Sequence, residues 1–245
     1  MSHIDQSNPY AIGRDDAVAY LPENARTTFL RKTYSHLTGA ILALIGLEFI
    51  LLNVVPEPAI RGLVARMTSG YGWLVVLGLF MLVSFVAQRW AMSGTSKAAQ
   101  YGGLSLYIGA WGVMLLPMLY ICINVLGEPN LPAMAGLITA MAFMGLTAFV
   151  FITKVDLESW GKYLMIAGFV LLGIIIAGLI FGFSMGLWLS GALVAFACAH
   201  ILYDTSNVLH RFGTDQYVAA SLILFADVVL LFWYVLQILM SLSRD

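Results

Sequence analysis

The stretch HILYDTSNVLHRFGTDQYVAASLILFAD, from His200 to Asp227, decides how the rest of the chain is read. It is the turn of a hairpin between two strongly apolar segments. Each segment carries one aspartate inside its apolar run, Asp204 in the first and Asp227 in the second. An acid at the centre of a bilayer costs roughly 2.5–3.5 kcal/mol on insertion scales, so an acid kept there points to function. Two such carboxylates on antiparallel neighbours joined by a short loop are placed to meet.

Working outward, the composition fixes the environment. Of 245 residues, 61% are hydrophobic and 10% are charged. Soluble domains run near 45–50% apolar and ~25% charged. There are too few charges to coat a globule of this size, so the chain is an integral membrane protein with the lipid bilayer as its main partner. A net charge of −1 gives no electrostatic footprint for nucleic acid. Cys122 and Cys198 both fall in apolar segments and read as small core residues, with no disulfide or metal framework. Residues 1–33 are polar and lack the apolar core of a cleavable signal peptide, so they read as a soluble tail. A membrane domain over 34–240 and a short C-terminal tail over 241–245 complete the expected organisation.

Seven apolar runs are long enough to span ~30 Å of hydrocarbon. They are Tyr34–Leu52, Tyr71–Gln88, Tyr101–Ile123, Pro132–Ile152, Tyr163–Phe183, Gly186–Leu209 and Tyr217–Met240. The fold class is therefore all-α, a seven-helix transmembrane bundle. Nine lysines and arginines (Arg14, Arg26, Arg31, Lys32, Arg89, Lys97, Lys154, Lys162, Arg211) lie on one side of these spans. Three (Arg61, Arg66, Arg244) lie on the other. The positive-inside rule then puts the N-terminus in the cytoplasm and the C-terminal tail outside. The first outer loop, Asn53–Gly70, reads equally as a short interfacial helix or as an ordinary loop. Pro117 is expected to kink the third span, because proline removes a backbone donor and crowds the preceding turn. Aromatic residues near span ends, such as Tyr34, Trp73, Trp90 and Tyr217, fit an interfacial belt.

Three acids fall within spans. Glu48, near the outer end of the first, is expected to snorkel or to meet Arg61 or Arg66 in a structural role. Asp204 lies about a turn and a half from the cytoplasmic end of the sixth span. Asp227 lies about ten residues into the seventh, roughly 15 Å deep at 1.5 Å per residue. Two carboxylates ~4 Å apart repel by about 4 kcal/mol at an effective dielectric of 20. The expectation is a pair sharing one proton. Such a pair can hold a proton, bind a cation or release a cationic latch. Arg89, at the cytoplasmic end of the second span, is the candidate latch for Asp204. His200, four residues before Asp204 on the same helical face, is a candidate for tuning it. Calcium suits hard oxygen ligands but wants about six to eight of them. Asp204 and Asp227 therefore read as a weak transit site, to which Thr205 and Asn207 could add oxygens.

The run Y-D-T-S-N-x-x-H, from Tyr203 to His210, followed by L-x-x-D-x-x-x-L-F, with Asp227 at its centre, resembles the Bax inhibitor-1 family, also called the transmembrane Bax inhibitor motif family. The R-K-T-Y entry to the first span (Arg31–Tyr34) is similar, and the T-S-N-x-x-H run and the S-R-D ending (Ser243–Asp245) look like its bacterial YccA branch. The resemblance implies a seven-helix bundle with the last helix central. It implies a pH-sensitive calcium leak controlled by an aspartate pair, carried over onto Asp204 and Asp227, and by an arginine, carried over onto Arg89. It also implies a bacterial inner membrane location and a link to the membrane AAA protease FtsH, through the tail Met1–Arg31. The chain departs from the family at Leu230, where many members have asparagine.

Enzyme classes fit poorly. An intramembrane aspartyl protease would pair its first aspartate with a G-x-G-D motif, whereas Asp227 follows Leu224-Phe225-Ala226. Tyr217–Met240 holds no lysine for a retinal Schiff base, and clustered zinc ligands are missing from the sequence. The expectation is a non-enzymatic protein without a cofactor, calcium entering only as a transported ion.

Overall fold

A computed structural model of the chain describes residues 17–93, 96–181 and 186–243. All regular elements among the described residues are helices, without strands. A short 3-10 turn, Val18–Tyr20, leads into α1 (Glu23–Asn53), α2 (Glu57–Thr68), α3 (Gly72–Ala91) and α4 (Lys97–Tyr120). A π turn, Ile121–Val125, extends α4, and α5 (Leu131–Thr153), α6 (Trp160–Phe181), α7 (Gly186–His210) and α8 (Tyr217–Leu242) follow. Seven of these helices, all but α2, are long and apolar enough to cross a membrane. The chain is thus an all-α membrane protein with the expected seven spans. The expected break between the fifth and sixth falls at 182–185, outside the described residues.

The helices outrun the apolar runs. α1 starts at Glu23, so residues 23–33, read from their polarity as tail, are already helical. Hydropathy marks where a helix meets lipid, and the helix continues into water beyond that point. The part of the tail before residue 17 lies outside the described residues. Where the sequence left loop and helix open over Asn53–Gly70, the structure has α2. Pro56 caps it and Pro58 sits in its first turn, where the missing N–H costs nothing. Its buried residues Ile60, Val64 and Met67 recur at helical spacing along one face. Ile60 and Val64 pack on Leu116 and Tyr120 of α4. α4 runs on through Pro117 and widens into the π turn four residues later.

The chain forms two compact units, 1–129 with 212–225 and 130–211 with 226–245. In the first, α3 and α4 approach closely at Gly103, where any Cβ would collide with the Ala87 carbonyl and the Ala91 nitrogen. Phe80, Tyr107 and Trp111 interlock across this contact, and Tyr107 also meets Phe225 of α8 edge to face, with centroids 6.1 Å apart. In the second unit α7 packs against α5 and α6. Gly161 of α6 faces the Tyr203 hydroxyl, which lies 2.5 Å from where a Cβ would stand.

α8 contributes to both units. It is 44% buried over its apolar window, against 61% for α4 and 6% for α6. Exposed Ile166, Phe169, Val170 and Ile176 on α6 form the kind of apolar surface that only lipid covers without cost.

Candidate functional site: a carboxylate–histidine cluster in the second unit

The site is built on one face of α7. Phe196, His200 and Asp204 follow at four-residue spacing, and Asn207 comes three residues later, so their side chains stack along the helix. The Phe196 and His200 rings meet edge to face at 4.6 Å. This contact holds the imidazole with its Nδ1 4.0 Å from Asp204 Oδ2. Asn207 Nδ2 donates to Asp204 Oδ1 at 3.2 Å, so the asparagine orients the carboxylate from the far side. α8 supplies Asp227, 5% exposed. One ligand atom from each of His200, Asp204 and Asp227 lies within 4.8 Å of the other two. Asp227 Oδ2 is buried and finds no hydrogen-bond partner among the described residues.

Two carboxylates and an imidazole at this separation are a donor set for a proton or a cation. Counted along their helices, Asp204 lies roughly 9 Å from the end of α7 and Asp227 roughly 15 Å from the start of α8. Both are measured from the same membrane face, so the two acids stand within about 6 Å of one another in depth. Of the residues named beforehand as extra oxygens, Asn207 reaches the cluster with its amide nitrogen, as a donor to Asp204, and adds no oxygen there. Thr205 does not reach it, being fully buried with its hydroxyl unpartnered among the described residues.

Arg89, the expected latch, ends α3 in the first unit. It is exposed, and its guanidinium sits 4.7 Å from the centre of the Phe85 ring, one turn back on the same helix. The cluster itself is built by the second unit alone. Glu48 departs from expectation: it is 7% exposed, and neither carboxylate oxygen has a hydrogen-bond partner among the described residues. It therefore neither snorkels nor meets an arginine. Arg61 is taken instead by Glu57, at 2.7 Å, one helical turn away on α2.

Sequence reading missed the clamp beneath the site. Ser206 Oγ donates to the Val155 carbonyl at 2.9 Å and accepts from Leu157 N at 3.0 Å. Arg211 pairs with Glu158 at 2.5 Å and reaches Asp156 at 3.9 Å. These contacts hold the α5–α6 connection on the end of α7. That connection opens on Lys154 at φ 51°, a left-handed conformation unusual for a residue with a side chain. The only sequence signal was the position of Ser206, two residues past Asp204 and so turned away from the acid face.

Fold and cluster together define a polytopic helical membrane protein in which a buried carboxylate, Asp227, meets a half-buried one, Asp204. The profile described as "Inhibitor of apoptosis-promoting Bax1" matches residues 26–244. The chain belongs to the Bax inhibitor-1 family. It is 30% identical over 238 residues to Bax inhibitor 1 of Schizosaccharomyces pombe, covering 93% of this chain and 82% of that one. An uncharacterised protein of Neisseria meningitidis serogroup A is 24% identical over 90% of this chain and 94% of its own length. Protein lifeguard 4 of mouse is 29% identical over a shorter stretch, 45% of this chain and 47% of its own.

Proposed function

We propose that the protein is a non-enzymatic, pH-sensitive cation leak, with calcium as its cargo, gated by the Asp204–Asp227 pair. The observation that carries this reading is the approach of the two carboxylates and His200 to within 4.8 Å of one another inside membrane-spanning helices. At that separation two charges repel by about 3.5 kcal/mol at an effective dielectric of 20, more than two decades in population. The pair then keeps one proton, which Asn207 and His200 help to place. Losing it leaves two anionic groups facing a passing cation. Two carboxylates and an imidazole fall short of a full calcium shell, which suits transit better than tight storage. Charge asymmetry across the spans favours an N-terminus in the cytoplasm, and the bacterial relative favours an inner membrane. Arg89 keeps its place in this reading as a cationic latch.

The test is calcium flux into proteoliposomes as a function of pH. Wild-type flux should change on the order of tenfold between pH 6 and pH 8, since one shared proton allows up to tenfold per unit. Asp227→Asn and Asp204→Asn should each flatten the profile to under twofold. Unchanged profiles in both variants would remove the pair as the gate.

A further inference from the structure

The first unit carries a second polar feature that the leak does not use. The N-terminal parts of α1, α4 and α8 enclose an open groove of about 560 Å³. Asn24, Thr28, Phe29 and Lys32 line it from α1, Lys97 from α4 and Tyr217 from α8. Both lysines are exposed and lean on one ring, their Nζ atoms 5.2 Å (Lys32) and 4.5 Å (Lys97) from the Tyr217 centroid. Lys97 Nζ also donates to Gln100 Oε1 and to the Asp215 carbonyl, which holds the ammonium in place and leaves one N–H free. Asp215 lines the groove too, but among the described residues neither ammonium has a carboxylate within ion-pair distance.

We infer that this groove binds the headgroup of an anionic phospholipid. Two cations over an aromatic floor, with the Asn24 side-chain amide N–H as a further donor, match a phosphate that bridges the lysines. Lys97 and Tyr217, the first residues of α4 and α8, both line the groove. The position decides between a lipid and a soluble phosphate. α1, α4 and α8 all begin at the same membrane face, and Lys32 and Tyr217 stand where the apolar runs of α1 and α8 start, so the deep end of the groove lies at headgroup level. Basic pockets between helices at that level are where anionic lipids bind.

Native mass spectrometry of the full chain tests this, using phosphatidylglycerol and phosphatidylcholine of identical acyl chains. Wild type should retain phosphatidylglycerol selectively. Lys32→Gln with Lys97→Gln should lower its retention on the order of tenfold, while Lys32→Arg with Lys97→Arg keeps it. Lys154→Gln with Lys162→Gln removes the same charge from exposed positions of the second unit and should change retention less than twofold. Matching thermal midpoints establish that the variants are folded. Full retention in the double glutamine variant, or an equal loss in the control pair, would overturn the site. Displacement by millimolar inorganic phosphate would overturn the lipid assignment.

Discussion

Glu48 and Asp227 are both acids buried in membrane-spanning helices, 7% and 5% exposed, and they differ almost entirely in company. Asp227 shares its site with a second carboxylate and an imidazole, and an asparagine braces that second carboxylate. Glu48 lies against Gly112 of α4, whose Cβ position would stand 3.7 Å from Glu48 Oε1, and both its oxygens are unpartnered among the described residues. Burial alone therefore does not make an acid a gate. What separates the two is whether a second ionisable group is close enough for one proton to matter to both.

The largest effect expected from this contrast is non-additivity at the pair. If one proton is shared, removing either acid removes the sharing. Asp204→Asn combined with Asp227→Asn should then be no flatter in its pH–flux profile than either single variant. Losses that add would mean two independent acids. In the same assay Glu48→Gln should keep the full pH response, and a flattened profile there would break the distinction drawn between the two sites.

A second effect is on stability. A buried polar group left without partners costs about 1–3 kcal/mol. Glu48→Met keeps the length of the side chain and deletes the unpartnered oxygens, so it should raise the stability of the detergent-solubilised protein by about that amount, read as an upward thermal shift. A fall with Glu48→Met would show that Glu48 has a partner that matters.

How much of this was legible in the sequence depends on range. The seven spans could be read because lipid imposes one simple demand, about twenty apolar residues, on each. The Asp204–Asp227 contact could be read because a short loop forces α7 and α8 to be antiparallel. His200 could be read because i,i+4 spacing is local. Glu48 could not, since its neighbours are set by the approach of α1 to α4 at Gly112, a contact 64 residues away in the chain. The Ser206 clamp was hidden for the same reason, its partners Val155 and Leu157 being 51 and 49 residues distant. α2 remained open because an amphipathic dozen residues between two spans satisfies loop and helix equally until Leu116 and Tyr120 are in place to receive it.

The smallest effect concerns an acid with partners but no burial. Glu57 Oε1 accepts from the Tyr120 hydroxyl at 2.7 Å and from Arg61 Nε at 2.9 Å. These bonds, the tyrosine's first, hold its carboxyl below the usual carboxylate range. A carboxyl lowered in the folded state contributes stability above its unfolded value, and that contribution is lost as pH falls through the folded value. α2 should therefore loosen from α4 at acid pH before the spans do. Hydrogen exchange of α2 amides, corrected for the intrinsic rate, should show less protection near pH 3 than near pH 6 in wild type. In Glu57→Gln protection should be lower than wild type near pH 6, by a small factor because the site is exposed, and independent of pH. A pH dependence that survived the substitution would place the acid-sensitive group elsewhere. It would leave α2 held by Ile60 and Val64 alone, so that ionisable company would matter to an acid only where lipid or protein excludes water.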